Sequence, residues 1–188
     1  MRPEIADFFR FIDVSERHPF PGTGNLYKFA EGLVKIDVQN RTVFLFDNDA
    51  EGFETHSKVQ QLKLPTNMRT AILPDLELFR TMPVKGPAGI HPSDINRRAA
   101  SIECYLDLRA PGLPAPEIVW TNFKKELDCY HGSLQNKEAF TKAFLKQRTV
   151  SSSYDFSNLE AVLDEIVRVC VGMSVDLNHS TLHSSVYG

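Results

Sequence analysis

Four consecutive apolar residues, VFLF at positions 43–46, lead directly into the acidic turn DNDAEG at positions 47–52. No polar residue interrupts the run, which is the pattern of a strand buried on both faces. Strands of this kind are expected in parallel sheets, which helices cover on both faces. The stretch therefore predicts a central strand of an α/β domain. Its two aspartates follow at the carboxyl end, where open α/β sheets bind ligands.

Helix and strand signals alternate around this strand. Apolar residues spaced three and four apart predict an amphipathic helix over residues 26–36, with Asn25 as its N-cap. Residues 9–14 and 69–73 have the composition of strands, and residues 54–62 favour a helix.

A further helix is expected to begin near Ser93 or Asp94 and to carry Ile102, Glu103 and Leu106. This order of elements predicts an α/β fold with a mostly parallel sheet and flanking helices.

Prolines at positions 111, 114 and 116 indicate a boundary. Beyond it, EIVWTNF and ELDCYHG predict a hairpin in which Trp120, Phe123 and Tyr130 pack together. Helices are predicted over residues 136–147 and 157–170. The expected division is an α/β domain over residues 1–108, a small C-terminal hairpin and helices over 109–170, and a flexible tail over 171–188.

Composition narrows the functional classes. A net charge of -3 provides no global basic surface, so a nucleic-acid partner requires a local patch or bound metal ions. The three cysteines are widely spaced, which disfavours a structural zinc site. No apolar run is long enough to cross a bilayer and no signal-peptide pattern is present, so we expect a cytoplasmic protein without membrane contact.

Asp47 and Asp49 are the strongest candidate site residues. Two carboxylates separated by one residue can bind one Mg²⁺, which keeps several waters and accepts phosphate oxygens. The alternative is structural, because Asp, Asn and Gly are also the commonest turn residues.

A second candidate is the PGTGN loop at positions 21–25, which precedes a predicted helix and would present backbone N–H groups to a phosphate. Its residues are Gly22, Gly24 and Asn25. Lys85, Arg97 and Arg98 are candidates for contact with a nucleic-acid backbone. An ordinary turn and solvated surface charge are the respective alternatives.

The segments HPFPGTGNLYKF, FDNDAEG and IECYL together resemble the Toprim domain. This is the metal-binding catalytic domain of type IA and II topoisomerases, DnaG-type primases and OLD-family nucleases. The chain looks most like the bacterial Toprim-like proteins that are associated with HEPN domains and suspected of phage defence. The resemblance extends to about residue 170.

The resemblance implies that Asp47 and Asp49 bind Mg²⁺ or Mn²⁺ and that Glu51 supports them. Glu103 would be a further ligand or catalytic residue, unless it is only a surface glutamate. The implied partners are nucleic acid and a HEPN-type or other defence protein. The implied activity is that of a metal-dependent nuclease.

One part of the family pattern has no match. Toprim domains carry a glutamate, in an EGxxD-like motif, at the end of an earlier strand. This chain begins with MRPEIADFF, where Glu4 stands in a different context. We therefore expect an incomplete copy, or one whose partner supplies the glutamate, because loss of a proton-transfer residue costs about 10²–10⁴-fold in rate.

Two other functions remain open. One alternative is a non-catalytic module that binds a partner or nucleic acid in a defence system. The other is a phosphotransfer enzyme with Asp47 as nucleophile. The second is the weaker alternative, because the acidic pair lacks the following Thr or Val expected of haloacid-dehalogenase-like phosphatases.

Overall fold

A computed structural model describes residues 9–12, 23–147 and 154–184. Over these residues the chain is an α/β protein. Its helices are α1 (Thr23–Lys35), α2 (Ala50–Gln60), α3 (Lys137–Leu145) and α4 (Ser157–Ser184). Its strands are β1 (Thr42–Phe46), β2 (Asn48–Asp49), β3 (Met68–Ile72), β4 (Met82–Gly86), β5 (Gly89–Ser93), β6 (Ala99–Ala100), β7 (Ile118–Lys124) and β8 (Cys129–Leu134).

The apolar run forms β1, which pairs in parallel with β3. Phe44 and Phe46 are buried in one cluster with Ala30 of α1, Val59 of α2 and Met68 of β3. Helix α4 contacts both strands as well. The prediction that this run forms a strand of a parallel sheet covered by helices is confirmed, although α2 begins four residues before its predicted start. The prediction of a central strand is wrong, because β1 has only one strand neighbour, β3, among the described residues.

The other strands make the sheet arrangement mixed rather than mostly parallel. Strands β5, β4, β7 and β8 form one sheet in that order, with a parallel β4–β7 pairing and two antiparallel pairings. Strands β2 and β6 form a short antiparallel pair. The short connections within β4–β5 and β7–β8 explain the difference, because a tight turn can only join antiparallel strands.

Residues on both sides of the predicted boundary at the prolines share one sheet and one core cluster. Strand β4 lies before it and β7 after it, and the two are hydrogen-bonded neighbours. One core cluster also combines Phe79 and Val84 with Ile118, Leu134 and Ile166. The predicted hairpin is confirmed as β7–β8.

Three segments differ in secondary structure from what the sequence suggested. Residues 9–12 form no strand, and Phe11 and Ile12 are 66% and 61% exposed. Positions 13 and 14 lie outside the described residues. Strand composition was not enough there, since no neighbouring strand pairs with these residues. The segment 171–188, expected as a flexible tail, is helical as far as Ser184, in a stretch without proline.

The third segment was expected to form a helix from Ser93 or Asp94, and this prediction is wrong. Ser93 ends strand β5, Arg97 has a left-handed backbone (φ 62°), and Ile102–Tyr105 is a single 3-10 turn. Side chains of the acidic turn accept hydrogen bonds from the backbone N–H groups of Arg97 and Ile102. A helix that began at Ser93 or Asp94 would need the Ile102 N–H for its own hydrogen bonds.

No helix within the described ranges is both long and apolar enough to span a membrane.

Candidate functional site

Asp47 follows the last residue of β1 and is half-buried. Its Oδ1 accepts a hydrogen bond from the backbone N–H of Ile102 at 2.9 Å, across 55 residues of sequence. This bond brings the acidic turn next to the 3-10 turn that carries Glu103. The structure thereby brings Asp47 and Glu103, two of the predicted site residues, to the same end of β1.

The pKa of the Asp47 carboxyl is raised from 3.8 to about 6. Burial is the largest cause, because a charged carboxylate loses hydration there. The negative charges of Asp49 and Glu103 act in the same direction, while the Ile102 N–H and Lys137 oppose the rise. Asp47 therefore lies in a locally negative field.

Asp49 is the N-cap of α2. Its backbone is extended, and its Oδ1 accepts a hydrogen bond from Gly52 N at 2.7 Å. Capping of this kind satisfies one of the free N–H groups of the first helical turn. A structural role, as the cap of α2, therefore occupies one carboxylate oxygen of Asp49.

Gly52 is required by close packing. A Cβ atom at this position would lie 2.1 Å from the carbonyl oxygen of Asp47 and 2.9 Å from its carbonyl carbon. Both are backbone atoms, so they cannot rotate away. Glycine thus lets the start of α2 contact the end of β1, which keeps Asp47 and Asp49 in a fixed relation.

Glu103 is held by its own partners. Ser101 Oγ donates to Glu103 Oε2 at 2.6 Å, and Lys137 Nζ of α3 lies 3.3 Å from the same oxygen. Burial alone raises the pKa of Glu103, but the Ser101 hydroxyl, the residue's own backbone N–H and Lys137 together hold it below its ordinary value. Glu103 is therefore an ionised, paired carboxylate rather than a solvated surface group.

The remaining predicted site residues lie elsewhere. Glu51 is exposed on the first turn of α2, and Lys124 Nζ of β7 lies 3.9 Å from its carboxylate. Gly22 is outside the described residues. Gly24 and Asn25 lie in the first turn of α1, so the prediction that Asn25 caps this helix is wrong.

Sequence reasoning missed Asn48, the central residue of the DND motif, which is fully buried. Asn48 Nδ2 donates to Asp75 Oδ1 at 3.0 Å, with longer contacts of 3.4 Å to Asn96 Oδ1 and Tyr105 Oη. Its Oδ1 accepts from Arg97 N at 2.9 Å. One signal was present in the sequence, because Asp75 comes three residues after the end of β3, and β3 is the parallel neighbour of the strand that ends before Asp47.

The three basic candidates have different settings. Lys85 lies on β4 and pairs with Glu117 at 3.3 Å. Arg97 and Arg98 instead line an open depression beside Asp75, together with Phe53 of α2. The two arginines, but not Lys85, thus border the polar network of Asn48.

No group of three or more His, Cys, Asp or Glu side chains within residues 9–12, 23–147 and 154–184 is arranged to hold a metal ion. The carboxylates at the end of β1 would offer a cation two ligands, Asp47 and Asp49, which is within the usual number for Mg²⁺. Within the part of the chain that the structure describes, Cys104, Cys129 and Cys170 form no disulfide.

Fold and site together define an α/β protein with two aspartates at the carboxyl end of a parallel strand pair. Comparison of the chain with protein-family models, curated proteins and solved structures found no match.

Proposed function

We propose that the chain is a Toprim-like domain that binds Mg²⁺ or Mn²⁺ through Asp47 and Asp49, has no match to the family's glutamate motif, and is related to enzymes that cleave nucleic-acid phosphodiesters. The observation that carries this proposal is the hydrogen bond from Ile102 N to Asp47 Oδ1. It holds one carboxylate at the end of β1 with Asp49 two residues away and Glu103 one residue beyond the donor. The proposal includes a cytoplasmic location, where such substrates occur.

Both aspartates have a hydrogen-bonding pattern suited to a ligand. In each, Oδ1 accepts a backbone N–H, from Ile102 for Asp47 and from Gly52 for Asp49. Neither Oδ2 has a hydrogen bond or ion pair among the described residues, so each is available to a cation. Ligating carboxylates are commonly oriented in this way by hydrogen bonds to their other oxygen.

The raised pKa of Asp47 links cation binding to pH. A metal ligand must be deprotonated, so binding near pH 6 displaces a proton and affinity rises as the pH increases. The bound cation would also relieve the repulsion between Asp47 and Asp49.

Glu103 is the proposed assisting residue. It would act at the metal only after Lys137 moves, because that ammonium group now lies 3.3 Å from its carboxylate. When bound, the cation would polarise a phosphodiester and stabilise the departing oxygen. The chain's own residues would hold the cation and position the nucleic-acid backbone next to it.

Charge-removing variants test the metal site. Asp49→Asn preserves the helix cap, because Asn caps as well as Asp, but it removes one charged ligand. We expect Mn²⁺ affinity, measured by calorimetry at pH 7.5, to fall at least tenfold in Asp49→Asn and to vanish in the double variant with Asp47→Asn. Glu138→Gln, an exposed change on α3, is the control. Equal affinity in wild type and the double variant would refute the site.

A second function is favoured by the contacts that the carboxylates of Asp49 and Glu103 already make within the chain. Asp49 caps α2 and Glu103 pairs with Lys137, so both have structural roles without any metal. The alternative is a non-catalytic module that binds nucleic acid or a HEPN-type partner in a bacterial defence system. A plasmid-nicking assay with Mg²⁺ or Mn²⁺ separates the two functions: metal-dependent nicking that Asp47→Asn abolishes supports the enzyme, and its absence supports the module.

A further inference from the structure

An open depression of about 480 Å³ lies beside the Asn48 network. Its walls come from α2, from the segment after β3, from residues 94–98 and from the turn that leads into β8. A volume of this size is within the range of small-molecule sites. The depression is open to solvent, so a ligand could enter without rearrangement of the chain.

Three arginines line the depression: Arg80, Arg97 and Arg98. Arg80 pairs with Glu77 at 2.7 Å, and Arg97 pairs with Asp75 at 3.2 Å. The Arg98 guanidinium has no hydrogen bond or ion pair to any residue that the structure describes. It is also exposed, and is therefore available to an anion.

Asp75 and Asp94 also line the depression, and its three arginines outnumber these two acidic residues by one. Asp75 accepts hydrogen bonds from Asn48 and Arg97. Asp94 Oδ1 accepts both the backbone and the side-chain N–H of Asn96 at 2.9 Å.

The backbone that carries the two adjacent arginines is held in an uncommon conformation. Arg97 has φ 62°, a left-handed value that is uncommon for residues other than glycine. The bond from Arg97 N to the buried Asn48 Oδ1 holds it there. Strained backbone persists where surrounding contacts determine it, and it is concentrated at functional sites. Asn48 is thus the positioning residue for Arg97.

An aromatic ring lies next to these charges. The Arg97 guanidinium lies 5.7 Å from the centroid of the Phe53 ring. A planar guanidinium beside an aromatic ring offers a flat surface for a nucleobase, and a neighbouring free arginine offers donors to a phosphate.

We propose that this depression binds a phosphate-bearing nucleotide unit, with the phosphate at Arg98 and the base against Arg97 and Phe53. The unit is either a free nucleotide or one residue of a nucleic-acid strand. This site uses none of the metal-binding aspartates, so it does not depend on the proposed metal chemistry.

The test uses the full chain in EDTA with three probes: inorganic phosphate, AMP and a fluorescein-labelled ten-residue oligothymidylate. Calorimetry measures the first two and fluorescence anisotropy the third. We expect AMP or the oligonucleotide to bind more tightly than inorganic phosphate. Arg98→Gln should weaken that binding about tenfold or more, as expected for a charge-assisted hydrogen bond.

Arg109→Gln, a change of an exposed arginine in the loop before the prolines, is the matched control and should leave binding unchanged. Binding of AMP identifies a free-nucleotide site, and binding of the oligonucleotide alone identifies a strand site. The proposal is overturned if neither nucleotide probe binds, if inorganic phosphate binds as tightly as AMP and the oligonucleotide, or if Arg98→Gln binds like wild type. Because EDTA removes divalent cations, failure of the metal site would not affect these outcomes.

Discussion

Replacement of Asp47 by Asn should stabilise the protein at neutral pH while it removes metal binding. The pKa of Asp47 is raised from 3.8 to about 6, chiefly by burial. A raised carboxyl pKa means that the folded state binds the proton more tightly than the unfolded state. The resulting stabilisation is present below pH 3.8 and is lost as the pH rises through about 6.

The size of the effect follows from that difference. A pKa rise from 3.8 to about 6 corresponds to about 3 kcal/mol of unfolding free energy between the low-pH and neutral limits. Asn cannot ionise, yet its Oδ1 can still accept the Ile102 N–H. The charged acceptor forms the stronger hydrogen bond, but the pKa of about 6 already includes that advantage. We therefore expect Asp47→Asn to be more stable than wild type by up to about 3 kcal/mol at pH 7.5.

Urea unfolding in EDTA, monitored by the fluorescence of the single tryptophan, Trp120, measures this difference from pH 4.5 to 7.5. The gap between the two proteins should narrow as the pH falls, because wild-type Asp47 becomes protonated. Glu138→Gln should follow wild type throughout. If the variant is less stable than wild type at pH 7.5, or if the difference in stability does not change with pH, burial of the Asp47 charge does not destabilise the fold. Added Mg²⁺ should stabilise wild type but not Asp47→Asn.

Two further changes test the backbone around the acidic turn. Gly52→Ala should lower the free energy of unfolding by about 3 kcal/mol, because the new Cβ would meet the Asp47 carbonyl oxygen at 2.1 Å. The control Gly32→Ala, in open space on α1, should raise it by about 0.5–1 kcal/mol. Asn48→Asp should cost about 2–4 kcal/mol at pH 7.5, because it replaces the donor to Asp75 with a second buried acceptor. Urea unfolding measures all three, and a stable Asn48→Asp variant would contradict the described network.

The sequence was informative where the signal is local. The unbroken apolar run predicted β1, and the three- and four-residue spacing predicted α1, because these patterns depend only on which side chains must leave water. The hairpin prediction held for the same reason. Trp120 stacks on Tyr130, with ring centroids 6.0 Å apart, and Phe123 lies 5.1 Å from Tyr130.

Prediction failed where distant residues compete for the same backbone groups. The segment around Arg97 and Ile102 has helix-like composition, but its N–H groups donate to Asn48 and Asp47, which are about fifty residues away in the chain. No local pattern reports such a bond. The strand prediction at residues 9–14 was wrong for a different reason. Its composition suits a strand, but no partner strand lies next to residues 9–12.

The chain alone thus determined that a buried strand ends in two aspartates beside a parallel neighbour. The surroundings of these aspartates depend on contacts between distant segments of the chain. The tertiary structure made Asp49 a helix cap, placed Glu103 against Lys137, and turned Asn48 into the residue that holds Arg97. The physical reason is that burial of apolar side chains follows sequence periodicity, whereas polar partners depend on which distant segments the packed strands and helices bring within hydrogen-bond distance.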